Sequence, residues 1–214
     1  LPARNEERAI GALLAALKGV GPEWEIIVVD DGSTDATREV ALAAGARVVS
    51  HPYPKGNGAA VKTGARVASG DILVFLDADG QHPPEEIPRL LREIDGGLDM
   101  VVGARTFGSH AGIHRGLANH FYNRLATWMV NHPVADLTSG FRAVRADKFR
   151  GFLHLLPNGF SYPTTITMSF FRAGFSVQYV PIRARKRIGR SHISPIRDGV
   201  RFVLIIFKVG TLYS

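Results

Sequence analysis

The stretch Asp71-Ile72-Leu73-Val74-Phe75-Leu76-Asp77-Ala78-Asp79-Gly80-Gln81 decides how this chain reads. Its first half is an unbroken apolar run, too short for a helix and without alternation, as in a strand buried on both faces. Its second half sets two carboxylates and an amide oxygen at the C-terminal end of that strand, where open α/β sheets bind their ligands. Upstream, residues 25–30 carry Ile26-Ile27-Val28-Val29 and end on Asp30-Asp31-Gly32-Ser33-Thr34-Asp35; downstream, residues 99–103 carry Met100-Val101-Val102. Helical patterns lie between, near 34–44, 57–69 and 84–95, the last opened by Pro83-Pro84 and the acids Glu85 and Glu86. Strand and helix alternating at this spacing predict an α/β domain with a mostly parallel central sheet flanked by helices. The opening Leu1–Glu7 reads as the end of a strand entering a helix with Asn5 as N-cap, so the first strand is expected to be truncated.

The second half is less regular. A helix is expected over about 115–130, a short strand over Phe141–Arg145, a helix over Pro163–Arg172 and strands around Pro181. Ser194-Pro195 reads as an N-cap and N1 pair opening a tail helix, whose block Phe202–Phe207 is too short to span a bilayer. With no internal repeat or linker, the division is one domain over 1–193 and an amphipathic, membrane-proximal helix over 194–214. The 214 residues are 45% hydrophobic and 21% charged, which excludes disorder and coiled coil, and zero cysteines exclude a disulfide scaffold or thiolate zinc site. A formal charge of +7 points to a polyanionic partner.

Hard oxygen donors at Asp77, Asp79 and Gln81 suit Mg²⁺ or Mn²⁺ carrying a diphosphate. The same residues also make a turn that caps the following helix, and the motif alone leaves both readings open. Asp31 is placed to accept hydrogen bonds from a base or ribose, or else to serve a turn capped by Ser33 or Thr34. Lys55-Gly56-Asn57-Gly58 sets a cation and two glycines where a helix begins, which suits a phosphate, although the Walker spacing is absent. Residues 183–192 hold five cations and no acid ahead of the apolar tail, as an interfacial segment would, and as a solvated face also would. The eight histidines show no metal-ligand spacing and read as surface or packing residues.

Taken in order, Pro2-Ala3-Arg4-Asn5-Glu6, Asp30-Asp31-Gly32-Ser33, Lys55-Gly56-Asn57-Gly58, Asp77-Ala78-Asp79-Gly80-Gln81, Gly103-Ala104-Arg105, Asp136-Leu137-Thr138-Ser139-Gly140-Phe141-Arg142 and Arg187-Ile188-Gly189-Arg190-Ser191 resemble the family 2 glycosyltransferases. More narrowly, they look like the polyprenyl (dolichyl) phosphate mannosyl- and glucosyltransferases. The resemblance implies a GT-A fold, a GDP- or UDP-linked sugar donor, a divalent cation and inversion at the anomeric carbon. It places Pro2, Arg4, Glu6, Val29, Asp31, Lys55, Asp77, Ala78 and Asp79 at the nucleotide sugar and Asp77, Asp79 and Gln81 at the metal. It places Arg115, Arg187 and Ser191 at the phosphates, with Ser139 a further candidate for the acceptor phosphate; Asp79, Arg105 and Asp136 are the catalytic candidates, Asp136 reading equally as a turn residue before Thr138-Ser139-Gly140. Three positions depart from the group: His192 for lysine, Asn119 for serine and Thr165 for an acid.

The expected activity is transfer of a hexose to a polyprenyl phosphate at the cytoplasmic face of a membrane, with no nucleic-acid partner. A lipid phosphate is largely ionised at neutral pH and needs no strong base. A hydroxyl acceptor, polysaccharide or glycolipid, is the alternative and would need one, for which Asp136 is the candidate. A nucleotidyltransferase is disfavoured because its glycine-rich basic loop is missing near the first strand. A nucleic-acid module is disfavoured because residues 183–192 lack interleaved aromatics.

Overall fold

The computed structural model describes residues 1–105, 113–185, 204–205 and 207–208. In chain order the elements are β1 (Pro2–Ala3), α1 (Glu7–Val20), β2 (Ile27–Asp30), α2 (Thr37–Ala43), β3 (Arg47–Ser50), α3 (Asn57–Val67), β4 (Ile72–Phe75), a 3₁₀ turn (Pro84–Glu86), α4 (Ile87–Asp95), β5 (Met100–Arg105), α5 (Ile113–Val130), β6 (Arg142–Arg145), α6 (Ala146–Gly151), α7 (Tyr162–Arg172) and β7 (Val177–Ile182). The tail helix expected over 194–214 lies mostly outside the described residues; the four that are described, 204–205 and 207–208, are helical.

The strands form two ladders, ordered β1-β2-β3 and β4-β6-β5-β7. The first is parallel throughout, with Pro2 opposite Val29 and Val28 opposite Val48. In the second, β5 and β7 are parallel, whereas β6 runs antiparallel to both β4 and β5. The sheet is therefore mixed at β6, which corrects the expectation of near-uniform parallel pairing in direction but not in layer architecture. One apolar cluster crosses both ladders, joining Ala3 and Val28 to Leu76, Val101, Phe141 and Val180, with α1 and α4 covering it through Leu14 and Leu90. A second cluster, around Phe75, Phe149, Ile166 and Phe170, fills the space under α3, α6 and α7.

Local chemistry explains the strand ends. The expected N-cap at Asn5 is not observed: Asn5 takes a left-handed φ of 56°, Glu6 is the residue preceding the helix and its side chain makes no cap bond, and the Glu7 N–H donates to Asp35 Oδ2 at 3.3 Å. Instead, Asn5 accepts the Thr34 backbone N–H at 2.8 Å and its own N–H donates to Ser33 Oγ at 3.0 Å. The Asn5 side chain thus bonds two loops together, satisfying backbone groups that a surface loop would otherwise leave to water.

Candidate functional site

The C-terminal ends of β4 and β5, and the loop entering β6, converge on one place. Asp77 and Asp79 follow β4 directly, Arg105 closes β5, and Asp136 to Phe141 lead into β6. Asp79 is buried, and its Oδ1 accepts the Gln81 backbone N–H at 3.0 Å, a short turn that fixes the carboxylate's direction. Gly140 passes so close to Asp77 that a Cβ there would stand 3.1 Å from Asp77 Oδ2. Glycine lets bare backbone lie against that carboxylate. Ala78 between them is buried and packs into the core.

Arg105 and Asp136 form a bidentate pair. Arg105 Nε donates to Asp136 Oδ2 at 2.7 Å and a terminal nitrogen donates to Oδ1 at 2.8 Å, with a further bond to Thr138 Oγ1 at 2.6 Å. Burial pushes the Asp136 carboxyl up, but the Arg105 hydrogen bonds and charge outweigh it and hold the group below its ordinary value. Burial likewise acts to lower Arg105, and Asp136 more than offsets it. Such a fork-to-fork pair fixes the plane of the guanidinium as well as its position. Asp136 is therefore a poor proton acceptor here: it is charged, but both oxygens are committed.

Sequence reasoning missed His82. It is buried, its ring stacks on Phe141 at 5.3 Å and 13°, and its Nδ1 accepts the Asp77 backbone N–H at 3.1 Å. Burial pushes this imidazole down, with Asp77 and Asp79 opposing, so it remains neutral at physiological pH with its proton on Nε2. Its position directly after Asp77-Ala78-Asp79-Gly80-Gln81 was the available signal, but no ligand spacing marked it. Asp77 and Asp79 thus bring their carboxylates to the same strand end as His82 and the Arg105–Asp136 pair. Hard oxygens at a strand end are chemically suited to Mg²⁺ or Mn²⁺. Among the described residues no three His, Cys, Asp or Glu side chains cluster closely enough to hold a metal ion.

The residues expected at the nucleotide sugar on the β1 and β2 side lie at the ends of those strands. Pro2 and Val29 are paired in register and buried, Glu6 is half-buried with its N–H on Thr37 Oγ1 at 2.8 Å, and Arg4 is exposed. Asp31 is spent internally: Oδ1 meets His51 Nδ1 at 2.7 Å and the Lys55 N–H at 2.8 Å, and Oδ2 accepts the Gly56 N–H at 2.8 Å. It anchors the segment carrying Lys55, whose ammonium is exposed 5.5 Å from the Tyr53 ring centroid.

Two of the candidate positions are engaged within the fold. The N-terminus of α3 is not an open phosphate cradle, because Gly58 and Ala59 donate their N–H groups to the carbonyls of Gly159 and Asn158 at 3.2 and 3.1 Å. The glycines are there for that approach: a Cβ on Gly58 would sit 2.1 Å from the Pro157 carbonyl oxygen. Ser139 is fully buried and donates its hydroxyl to the Gly103 carbonyl at 2.7 Å, so it ties β5 to the following loop and has no proton to offer an acceptor phosphate. Arg115 lies on α5, but its side chain, with Arg187 and Ser191, is outside the described residues. Arg185 joins the site by its backbone, donating to the Gln81 carbonyl at 2.9 Å.

Fold and site together define a GT-A-like α/β sugar-transferase architecture. The structure aligns over 98% of its length with glucosyl-3-phosphoglycerate synthase from Mycobacterium tuberculosis, solved with Mn²⁺, UDP and phosphoglyceric acid, at TM-score 0.79 and 25% identity, covering 76% of that chain. The family model "Glycosyl transferase family 2" matches residues 1–153, and the chain belongs to that family. A dolichyl-phosphate hexose transferase from Haloferax volcanii is 32% identical over 207 residues, 96% of this chain and 90% of its own. An undecaprenyl-phosphate 4-deoxy-4-formamido-L-arabinose transferase from Photorhabdus laumondii is 34% identical over 155 residues, 68% of this chain. The chain spans about half of that second relative, 47%.

Proposed function

We propose that this protein is an inverting, metal-dependent hexosyltransferase that moves a sugar from a nucleoside-diphospho-sugar to a polyprenyl phosphate at a membrane surface. The observation that carries the reading is the meeting of the Asp77, Asp79 and Gln81 loop after β4 with the fixed guanidinium of Arg105 at the end of β5, on either side of the central β6. Asp77, Asp79 and Gln81 would hold Mg²⁺ or Mn²⁺, with donor phosphate oxygens completing the shell. When bound, the ion neutralises the negative charge that builds on the departing diphosphate. Arg105, already oriented by Asp136, adds a positive charge that needs no reorganisation as the bond breaks. Lys55 reaches the same diphosphate from the side of β2. The similarity to two polyprenyl-phosphate sugar transferases supports the acceptor class.

An ionised lipid phosphate attacks without deprotonation, so the residues here position rather than abstract protons. The state of Asp136 favours this over a hydroxyl acceptor, since a carboxylate engaged through both oxygens is ill placed as a general base. The test is transfer from a panel of GDP- and UDP-sugars to a polyprenyl phosphate with Mn²⁺ or Mg²⁺, for the parent and Asp79→Ala. Metal-dependent formation of a lipid-phospho-sugar, reduced at least ~100-fold in Asp79→Ala, is expected. Donor binding without transfer to lipid phosphate would move the assignment to a hydroxyl acceptor.

A further inference from the structure

β3 ends at Ser50 on the edge of the parallel ladder, and the chain leaves it through His51-Pro52-Tyr53-Pro54-Lys55. This segment is fastened to the end of β2 at both its ends. The His51 N–H donates to the Asp30 carbonyl at 2.8 Å, and Asp31 Oδ1 accepts the Lys55 N–H at 2.8 Å. Beside those anchors Gly32 takes a left-handed φ of 67°, and a Cβ on it would stand 2.9 Å from both the Tyr53 carbonyl carbon and the Pro54 nitrogen. Bare backbone at Gly32 therefore lets residues 53 and 54 lie directly against the turn that follows β2. Pro52 and Pro54 stiffen the segment further, the first by fixing its own φ, the second by confining Tyr53 to extended conformations. The backbone is held this firmly, yet the Tyr53 side chain is not folded inward: the residue is 63% exposed.

A rigidly mounted, open aromatic ring at the C-terminal ends of parallel strands stands where α/β sheets take their ligands. The exposed Lys55 ammonium is 5.5 Å from the ring centroid, so a π-face and a cation are presented together. A nucleoside diphosphate carries the matching pair: a flat base that stacks on an aromatic ring, and a phosphate tail that a lysine attracts as a point charge. On the other side of β2, Arg4 follows β1 and is exposed, and the register of Ala3 opposite Asp30 sets it level with Asp31. We propose that Tyr53 is the stacking platform for the nucleobase of the sugar donor, with Lys55 beside it towards the phosphates and Arg4 across the end of β2. The inference rests on the nucleoside-diphospho-sugar reading above and adds to it the residue that grips the base, through its face rather than its hydrogen-bonding edge.

The test is direct binding by calorimetry, with UDP, GDP, UDP-glucose and inorganic pyrophosphate as separate ligands, in Mn²⁺ and without any acceptor, so no transfer is needed. Tyr53→Ala should weaken the nucleoside diphosphates roughly tenfold or more, the scale of losing one base–aromatic stack, and leave pyrophosphate within about twofold. Tyr53→Phe should bind as the parent does, since the hydroxyl takes no part in stacking. Tyr53→Trp should also bind, with indole fluorescence quenched by UDP or GDP beyond any change in the parent and unmoved by pyrophosphate. Because the side chain is exposed, all three variants should keep the parent's melting temperature. Equal weakening of UDP and pyrophosphate in Tyr53→Ala would overturn the proposal and reduce the ring to a support for Lys55. Unaltered UDP and GDP affinity would overturn it as well, and a loss confined to UDP-glucose would assign the ring to the hexose. Those results leave the donor reading standing, whereas a parent that binds neither UDP nor GDP would sink that reading and this inference with it.

Discussion

Asp31 and Asp136 are both buried carboxylates at strand ends, yet they are satisfied by different means. Asp31, after β2, takes two backbone N–H groups and an imidazole from the segment 51–56, and so serves as the knot of a loop. Asp136, before β6, takes a guanidinium from β5 and so serves to aim a charge. A carboxylate held by backbone donors stabilises a local shape, and its loss loosens a loop. One held by an arginine that is itself a quarter exposed also controls what that arginine presents to the open side of the site. The first arrangement is loop architecture; the second is a preorganised charge, which under the proposed function would face the departing diphosphate.

The sharpest way to break this contrast is Asp136→Asn. Removing one partner of a buried pair leaves the other charge uncompensated, at a cost of about 3 kcal/mol. The urea midpoint should fall accordingly, and transfer at saturating donor should drop by ~100-fold or more because Arg105 is no longer held in plane. If transfer survives Asp136→Asn at parental rate, Arg105 needs no orienting partner, and the distinction between the two carboxylates disappears. Gly58→Ala probes the other side. Its Cβ would fall 2.1 Å from the Pro157 carbonyl oxygen and 2.8 Å from that of Gly159, so the 157–159 loop must move. A loss of roughly 2 kcal/mol is expected, with a lowered melting temperature and little change in kcat for the remaining folded enzyme.

Asp31→Asn should cost less, on the order of 1–2 kcal/mol, because an acceptor is lost and a neutral N–H left unpaired rather than a buried charge stranded. Its pH dependence gives the sign. Burial pushes the Asp31 carboxyl up, but His51 and the N–H groups of Lys55 and Gly56 hold it below the reference 3.8. A carboxyl depressed in the folded state stabilises above its unfolded pKa, and that contribution is lost as pH falls through the folded value. Denaturant midpoints of parent and Asp31→Asn should therefore converge below pH ~4. A gap that stays constant to pH ~3 would mean the Asp31 charge adds nothing to the knot.

These differences follow what a linear sequence can display. The runs 26–29, 72–76 and 100–102 were legible because strands buried on both faces have no alternation to misread. β3 was not, since Arg47–Ser50 is short and exposed at both ends, without an apolar run. The direction of β6 was invisible because periodicity carries no sense of up or down. Asp77, Asp79 and Gln81 were legible as one local motif, whereas the Arg105–Asp136 pair joins residues 31 apart and exists only once β5 and the β6 loop are neighbours. The glycines of 55–58 were seen as special, but for the wrong ligand. Their space is filled by the carbonyls of a loop a hundred residues later. Arg142 shows the same limit: it is fully buried, with a terminal nitrogen on Thr167 Oγ1 at 3.1 Å and another bonded to the Ser139 carbonyl, partners that no local spacing displays.

Lys55 supplies the smallest and most discriminating effect. Its backbone is tied to Asp31, so the loop's shape belongs to the architectural half of the comparison, but its side chain is exposed and belongs to the electrostatic half. The Tyr53 ring is the one partner that orients the ammonium among the described contacts, an exposed cation–π approach worth about 0.5 kcal/mol. Lys55→Ala should thus leave the urea midpoint within about 0.5 kcal/mol of the parent while raising the donor KM severalfold. Lys55→Arg should recover much of that KM, because charge rather than shape is what the position contributes. Were Lys55→Ala to lower the midpoint and leave KM untouched, the side chain would belong with Asp31 as part of the loop, and the donor diphosphate would depend on Arg105 and the 77–81 loop alone.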